Sequence, residues 1–253
     1  MNHFSDIGFA FETEEDFQSM VEEACEHGDE VESSNGFYLH YTDRSGAALW
    51  VLIQGGDTIM SVEPHFTGKS RRTVCLNATI QRDEEGIEGA YHAWAEPAEE
   101  NKPDSGIYPF VFDVPGFNAT ETIEMPRNVE IQLAAFAQQL FYYDSVEEFE
   151  QNQEGEPKFA VQSFIPSGLF FAEGEGSDTP EAQAMFAGIV LECERRTNQL
   201  VGSDFYWLLV DTLGGEVDLV ADPLFFDSEP KVNGVVKGSF WLSGRLIDPV
   251  HTG

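Results

Sequence analysis

Positive charge is what this chain has least of. Thirteen lysines and arginines stand against 46 aspartates and glutamates in 253 residues, a net charge of −33. The imbalance is spread along the chain rather than gathered in a tail. A field of that sign repels phosphate backbones, so nucleic acid is an unlikely partner by electrostatics. It speeds encounter with a basic protein partner or with cations, of the kind an inhibitor or immunity-like protein meets. The same charge also serves solubility, or adaptation to a salty medium.

Cysteine is scarce too. Cys25, Cys75 and Cys193 are far apart and odd in number, which excludes a disulfide framework and a zinc set of recognisable spacing. They are expected to be buried thiols. Long apolar runs are missing, since nothing approaches the roughly 18–20 residues of a membrane-spanning helix. Met1 to Asp6 lacks the basic and apolar regions of a signal peptide, and the expected address is the cytoplasm. In that setting the glycosylation sequons at Asn77 and Asn118 carry no weight.

Catalytic signatures are absent as well: no Gly-x-Ser-x-Gly, His-Glu-x-x-His, Cys-x-x-Cys or Gly-x-Gly-x-x-Gly occurs. Gly68-Lys69-Ser70 would end a phosphate-binding loop, but Glu63 stands where its first glycine belongs. No catalytic residue, metal ligand set or cofactor is therefore assigned.

What is present is core-forming material, 42% apolar and 13% aromatic, enough for one large domain or two ordinary ones. Thr13-Glu14-Glu15-Asp16 forms an acidic capping box. Phe17, Met20, Val21, Ala24 and Cys25 follow at helical spacing and Gly28 closes the segment, so 14–27 is expected to be a helix. Ser145-Val146-Glu147-Glu148 marks a second, short one. Elsewhere β-branched and aromatic segments alternate with turn signals: strands are expected at 37–42, 47–54, 58–63, 72–81, 91–95, 107–114, 184–195, 205–210, 216–221 and 238–247. Residues 129–143 fit helical spacing and strict alternation alike, and Phe141-Tyr142-Tyr143 favours a strand. Pro109 suggests an edge, and Gly188 a bulge or sharp coil.

The expected fold class is mainly β (α+β), two strand-rich modules of antiparallel sheet with few helices. Residues 1–153 would hold the N-terminal helix and an antiparallel module. Residues 154–253 would form an OB-like barrel, by analogy of strand order. A pattern beginning at Phe37-Tyr38 recurs from Phe205-Tyr206 with similar spacing of Asp, Gly and an apolar run, which suggests an internal repeat.

Three features could carry binding. Lys69, Arg71 and Arg72, with His65 nearby, would make an anion or carboxylate subsite in a pocket between the modules; the competing reading is a turn whose bases pair with neighbouring acids. Trp241 and Arg245 share a face of strand 238–247 and would form a surface-binding platform, against the alternative that Trp241 is packing. His40, His65 and His92 on strands would suit a metal, though their spacing fixes nothing. The acidic loop Glu173–Pro180 faintly suggests calcium, but its spacing misses the EF-hand pattern.

Overall fold

The computed structural model describes residues 3–34, 36–55, 58–82, 87–120, 122–153, 158–167 and 179–247. Glu173 to Asp178, the acidic segment with a faint calcium-loop pattern, lie outside the described residues.

Helix α1, Glu14–His27, starts as its sequence requires. The Thr13 hydroxyl accepts from the Asp16 backbone N–H at 3.1 Å, and the Asp16 carboxylate accepts from the Thr13 N–H at 3.0 Å. Its inner face buries Met20, Val21 and Ala24. There follows an antiparallel meander of β1 (Asp29–Ser33), β2 (Gly36–Thr42), β3 (Ala47–Gln54) and β4 (Thr58–Phe66), hydrogen-bonded in that order.

The remaining strands form a nine-stranded mixed sheet. They are β5 (Arg72–Gln81), β6 (Gly89–Ala95), β7 (Pro109–Asp113), β8 (Arg127–Tyr143), β9 (Ser163–Pro166), β10 (Gln183–Thr197), β11 (Asp204–Thr212), β12 (Gly215–Ala221) and β13 (Val235–Leu246). The short helix α2, Val146–Gln151, is capped by Ser145 and follows β8. Strands from both sides of residue 153 mix in this sheet, whose order is β11-β12-β8-β5-β6-β7-β13-β10-β9.

Two further pairings, β10–β11 and β8–β13, turn that order into two five-strand rings. One is β8-β12-β11-β10-β13 and the other β8-β5-β6-β7-β13, with the long antiparallel pair β8–β13 common to both. In each ring a single pair is parallel, β12 with β8 and β7 with β13. The pairing scheme of β5–β8 thus recurs in β10–β13, each unit lending its last strand to the other ring. The Phe-Tyr pattern falls elsewhere, in β2 of the four-stranded sheet and in β11 of the nine-stranded one.

This architecture explains why 129–143 reads ambiguously. Val129, Ile131, Leu133, Ala135 and Ala137 of β8 enter the core of the nine-stranded sheet. Ala134 and Phe136 enter a second core with α1, β3 and the Ile7–Phe9 segment. A strand buried on both faces loses the polar half of its alternation. The bulge expected at Gly188 lies further on, where the β10–β11 register shifts between Val190 and Glu192. Gly188 answers a different need, since a Cβ there would meet the Val210 side chain and the Asp211 carbonyl.

Gly238, facing Leu140 in the shared pair beside a register shift, is the tightest glycine among the described residues. A Cβ would overlap the Gln139 carbonyl oxygen. Gly238→Ala should cost about 2–4 kcal/mol, because both rings must give way. Urea unfolding checks this; an unchanged midpoint would show that the pair can open freely.

Candidate functional site

The loop carrying the basic cluster hangs on one buried carboxylate. Asp218 of β12 is fully buried and accepts four hydrogen bonds. The Lys69 N–H (2.9 Å) and the Trp207 indole (2.8 Å) reach Oδ1, while the Ser70 N–H (2.9 Å) and the Gln132 amide (2.8 Å) reach Oδ2. Gly68 lies so close that a Cβ would overlap the carboxylate. Ser70 completes the attachment, donating to the Leu133 carbonyl at 2.9 Å and accepting from its N–H at 3.1 Å.

From this anchor the three bases go to different places. The Lys69 ammonium pairs with Glu192 and lies 4.9 Å from the Trp207 ring centroid. Arg71 donates to the Ser70 carbonyl at 2.8 Å and approaches Glu130 at 3.7 Å. Arg72 is 3% exposed. Its guanidinium donates to the Gly214 carbonyl (2.8 Å) and the Tyr108 hydroxyl (2.6 Å), and packs over Phe164 at 5.2 Å. Burial pushes the Tyr108 phenol up, and Arg72 partly offsets this.

His65 of β4 is buried against β13, its Nδ1 2.8 Å from the Ser243 hydroxyl. Burial, with the nearby charges of Arg245 and His40, pushes the imidazole down to about 3, so it is neutral at physiological pH. Arg245 donates to the Gln132 side chain at 3.2 Å. Gln132 therefore joins Arg245 to Asp218, and His65 and Ser243 form a second buried pair between the sheets.

Trp241 does not form a platform with Arg245 alone. Its indole donates to Asp113 Oδ2 at 2.6 Å, and its ring stacks on His3 and lies tilted against Phe136, with centroids 5.2 and 4.8 Å away. The histidines do not gather. His40 stacks on Trp50 at 4.0 Å, while His92 lies beside Asn77 on β6. Among the described residues no group of His, Cys, Asp and Glu is arranged to hold a metal ion.

Trp241 and Ser243 instead form one wall of a cleft of about 210 Å³ where β4 faces β13 and the ends of β5 to β7. Its polar lining is Glu63, Arg82, Glu88, Asp113 and Ser243; Val62, Pro64, Gly89, Val114 and Pro115 complete it beside Trp241. Asp113 is locked, accepting from Arg82 Nε at 2.9 Å besides the Trp241 indole. Arg82 also donates to the Pro180 carbonyl.

Glu63 is held by neutral groups. The Gly116 N–H donates to one oxygen at 3.0 Å and the Ser61 hydroxyl to the other at 3.3 Å. Burial pushes its pKa up to about 8, and the charges of Glu88 and Asp113 add to the rise. At neutral pH this cleft holds a protonated carboxyl, Glu63, beside the arginine-paired carboxyl of Asp113.

Of the residues the sequence singles out for binding, Trp241 lines this cleft, whereas Glu63, Arg82, Glu88 and Asp113 are not among them. The available signal was a carboxylate within an otherwise apolar segment, Phe110-Val111-Phe112-Asp113-Val114. The chain matches no known family model, no curated protein and no solved structure.

Proposed function

We propose that this chain is a binding protein whose acidic surface engages a basic protein partner. One observation carries the reading: the acids far outnumber the bases that could neutralise them. Lys69, Arg71, Arg82, Lys102, Arg195 and Arg196 are the bases in ion pairs with carboxylates among the described residues. Against 46 acidic residues, that leaves a strongly negative surface able to steer a positive one. Helix α1 contributes exposed Glu15, Glu22, Glu23 and Glu26, and edge strand β1 adds Asp29, Glu30 and Glu32.

The alternative, a small-ligand protein or enzyme with an anion pocket built on Lys69, Arg71, Arg72 and His65, has weaker support. Each of those bases is already engaged at a separate place, and His65 is held neutral. The ring β8-β12-β11-β10-β13 lends an OB-like reading to the C-terminal strands, with β8 borrowed from the first half. Such barrels bind on strand faces, and here the surrounding charge disfavours a nucleic acid. Among the described residues no helix is long and apolar enough to cross a membrane.

Affinity capture from a native lysate, followed by reconstitution with the purified candidate, tests the proposal. The expected product is a stoichiometric complex with a basic protein, weakened between about 0.05 and 0.5 M salt as screening shortens the field. A complex that an unrelated protein of similar charge forms equally well would contradict it.

A further inference from the structure

Among the described residues Glu63 has no positive partner. Among the described residues its oxygens meet only the Ser61 hydroxyl and the Gly116 N–H, and the charges acting on it are carboxylates, Glu88 and Asp113. Arg82 lines the same cleft but is committed to Asp113 and to the Pro180 carbonyl. Trp241 is fixed through its indole N–H on Asp113 and by ring contacts with His3 and Phe136, and it lines the cleft.

The space beside these groups is about 210 Å³. That is below the roughly 300–1,000 Å³ of pockets for drug-sized ligands, so the occupant is compact. Its walls combine carboxylates, an aromatic ring and the apolar side chains of Val62 and Pro64. A planar or tetrahedral nitrogen cation on a short alkyl stem matches that set. The charge would meet carboxylate oxygens and the indole, and the stem would meet the apolar wall.

We propose that the cleft between β4 and β13 binds a compact organic cation, a guanidinium or primary ammonium group, with Glu63 as its principal anionic partner and Trp241 as its aromatic wall. This goes beyond the reading of the acidic surface, because the cation arrives either as a free small molecule or as the end of an arginine or lysine side chain. Binding draws the proton off Glu63, since a cation favours the ionised carboxylate. Affinity therefore rises with pH. The groups facing Glu63 set the scale: Ser61 on its own strand, Glu88 at the start of β6, Asp113 with Arg82 at the ends of β7 and β5, and the Gly116 N–H.

Calorimetric titration of the full chain with methylguanidinium tests this, because the probe keeps its charge across the pH range. Saturable one-site binding is expected, roughly tenfold tighter at about pH 9 than at about pH 6.5, one pKa unit being a tenfold change. Proton release near neutral pH should appear as a difference between buffers of unlike ionisation heat. Glu63→Gln should weaken binding at least about tenfold at high pH and abolish the pH dependence. Glu88→Gln, at an exposed position, supplies a weaker version of the same loss should the first variant fail to fold. A blocked peptide with a single arginine, run in parallel, separates the sources: peptide binding at similar or greater strength assigns the cleft to a protein side chain, and binding of methylguanidinium alone to a free cation. Failure of both probes to saturate at high pH, or binding that Glu63→Gln leaves intact in a folded variant, would overturn the assignment.

Discussion

Asp218→Asn is expected to lower the unfolding free energy by about 3–5 kcal/mol. Four donors converge on its carboxylate, two on each oxygen. An amide offers one oxygen and one NH2 group. Whichever way it turns, two donors then face a third donor across a hydrogen-bond distance in a fully buried place. They are either the Lys69 N–H with the Trp207 indole or the Ser70 N–H with the Gln132 amide. Each buried group left without an acceptor costs about 1–3 kcal/mol. The loop 67–71 would loosen with it, exposing Ser70 and shifting the start of β5. Denaturant unfolding followed by tryptophan fluorescence reads the effect. A loss below about 1 kcal/mol would mean that the loop has another anchor.

The second large effect is a pair of opposing pH slopes from neighbouring residues of β4. His65 goes from an ordinary 6.5 to about 3 in the folded chain. Between those values the unfolded chain binds a proton that the folded chain refuses, so this stability is present above pH 6.5 and lost as pH falls. Glu63 goes the other way, from 4.5 to about 8. Its contribution is complete below pH 4.5 and lost as pH rises toward 8, because only the unfolded chain gives up the proton freely. Each full pKa unit is worth about 1.4 kcal/mol, so either residue can contribute roughly 3–5 kcal/mol across its window. Between pH 4.5 and 6.5 the two slopes oppose each other.

The variants separate them. His65→Gln should lose less stability than the parent on acidification, and Glu63→Gln less on alkalinisation, by amounts that grow through the stated windows. Comparing slopes rather than absolute values removes any constant cost of the altered hydrogen bonds. Parallel curves for parent and variant across pH 3 to 9 would show that neither group is held in its neutral form.

Much of the secondary structure was legible because it is local. Thr13 and Asp16 announce α1, Ser145 announces α2, and most strands are bounded by turn residues. The topology was not legible, because it rests on long-range pairing. The β12–β8 and β7–β13 contacts that close the rings join segments far apart in sequence, and β8, apolar on both faces, gives no periodic sign of which neighbours it will take. The site was hidden for a related reason. Lys69, Arg71 and Arg72 stand out by contrast with their acidic surroundings, yet proximity in sequence sends them to Glu192, Glu130 and the Gly214 turn. Glu63 and Asp113 are inconspicuous among 46 acids, and only packing β4 against β7 and β13 sets Glu63 in a site that raises its pKa and Asp113 beside Arg82.

The most direct test of the proposed role is the ionic-strength dependence of binding between this chain and the basic protein it captures, measured with both purified. A saturable one-to-one complex whose affinity falls steeply as salt rises is expected. The absence of a saturable complex at low salt, or an affinity indifferent to salt, would contradict it.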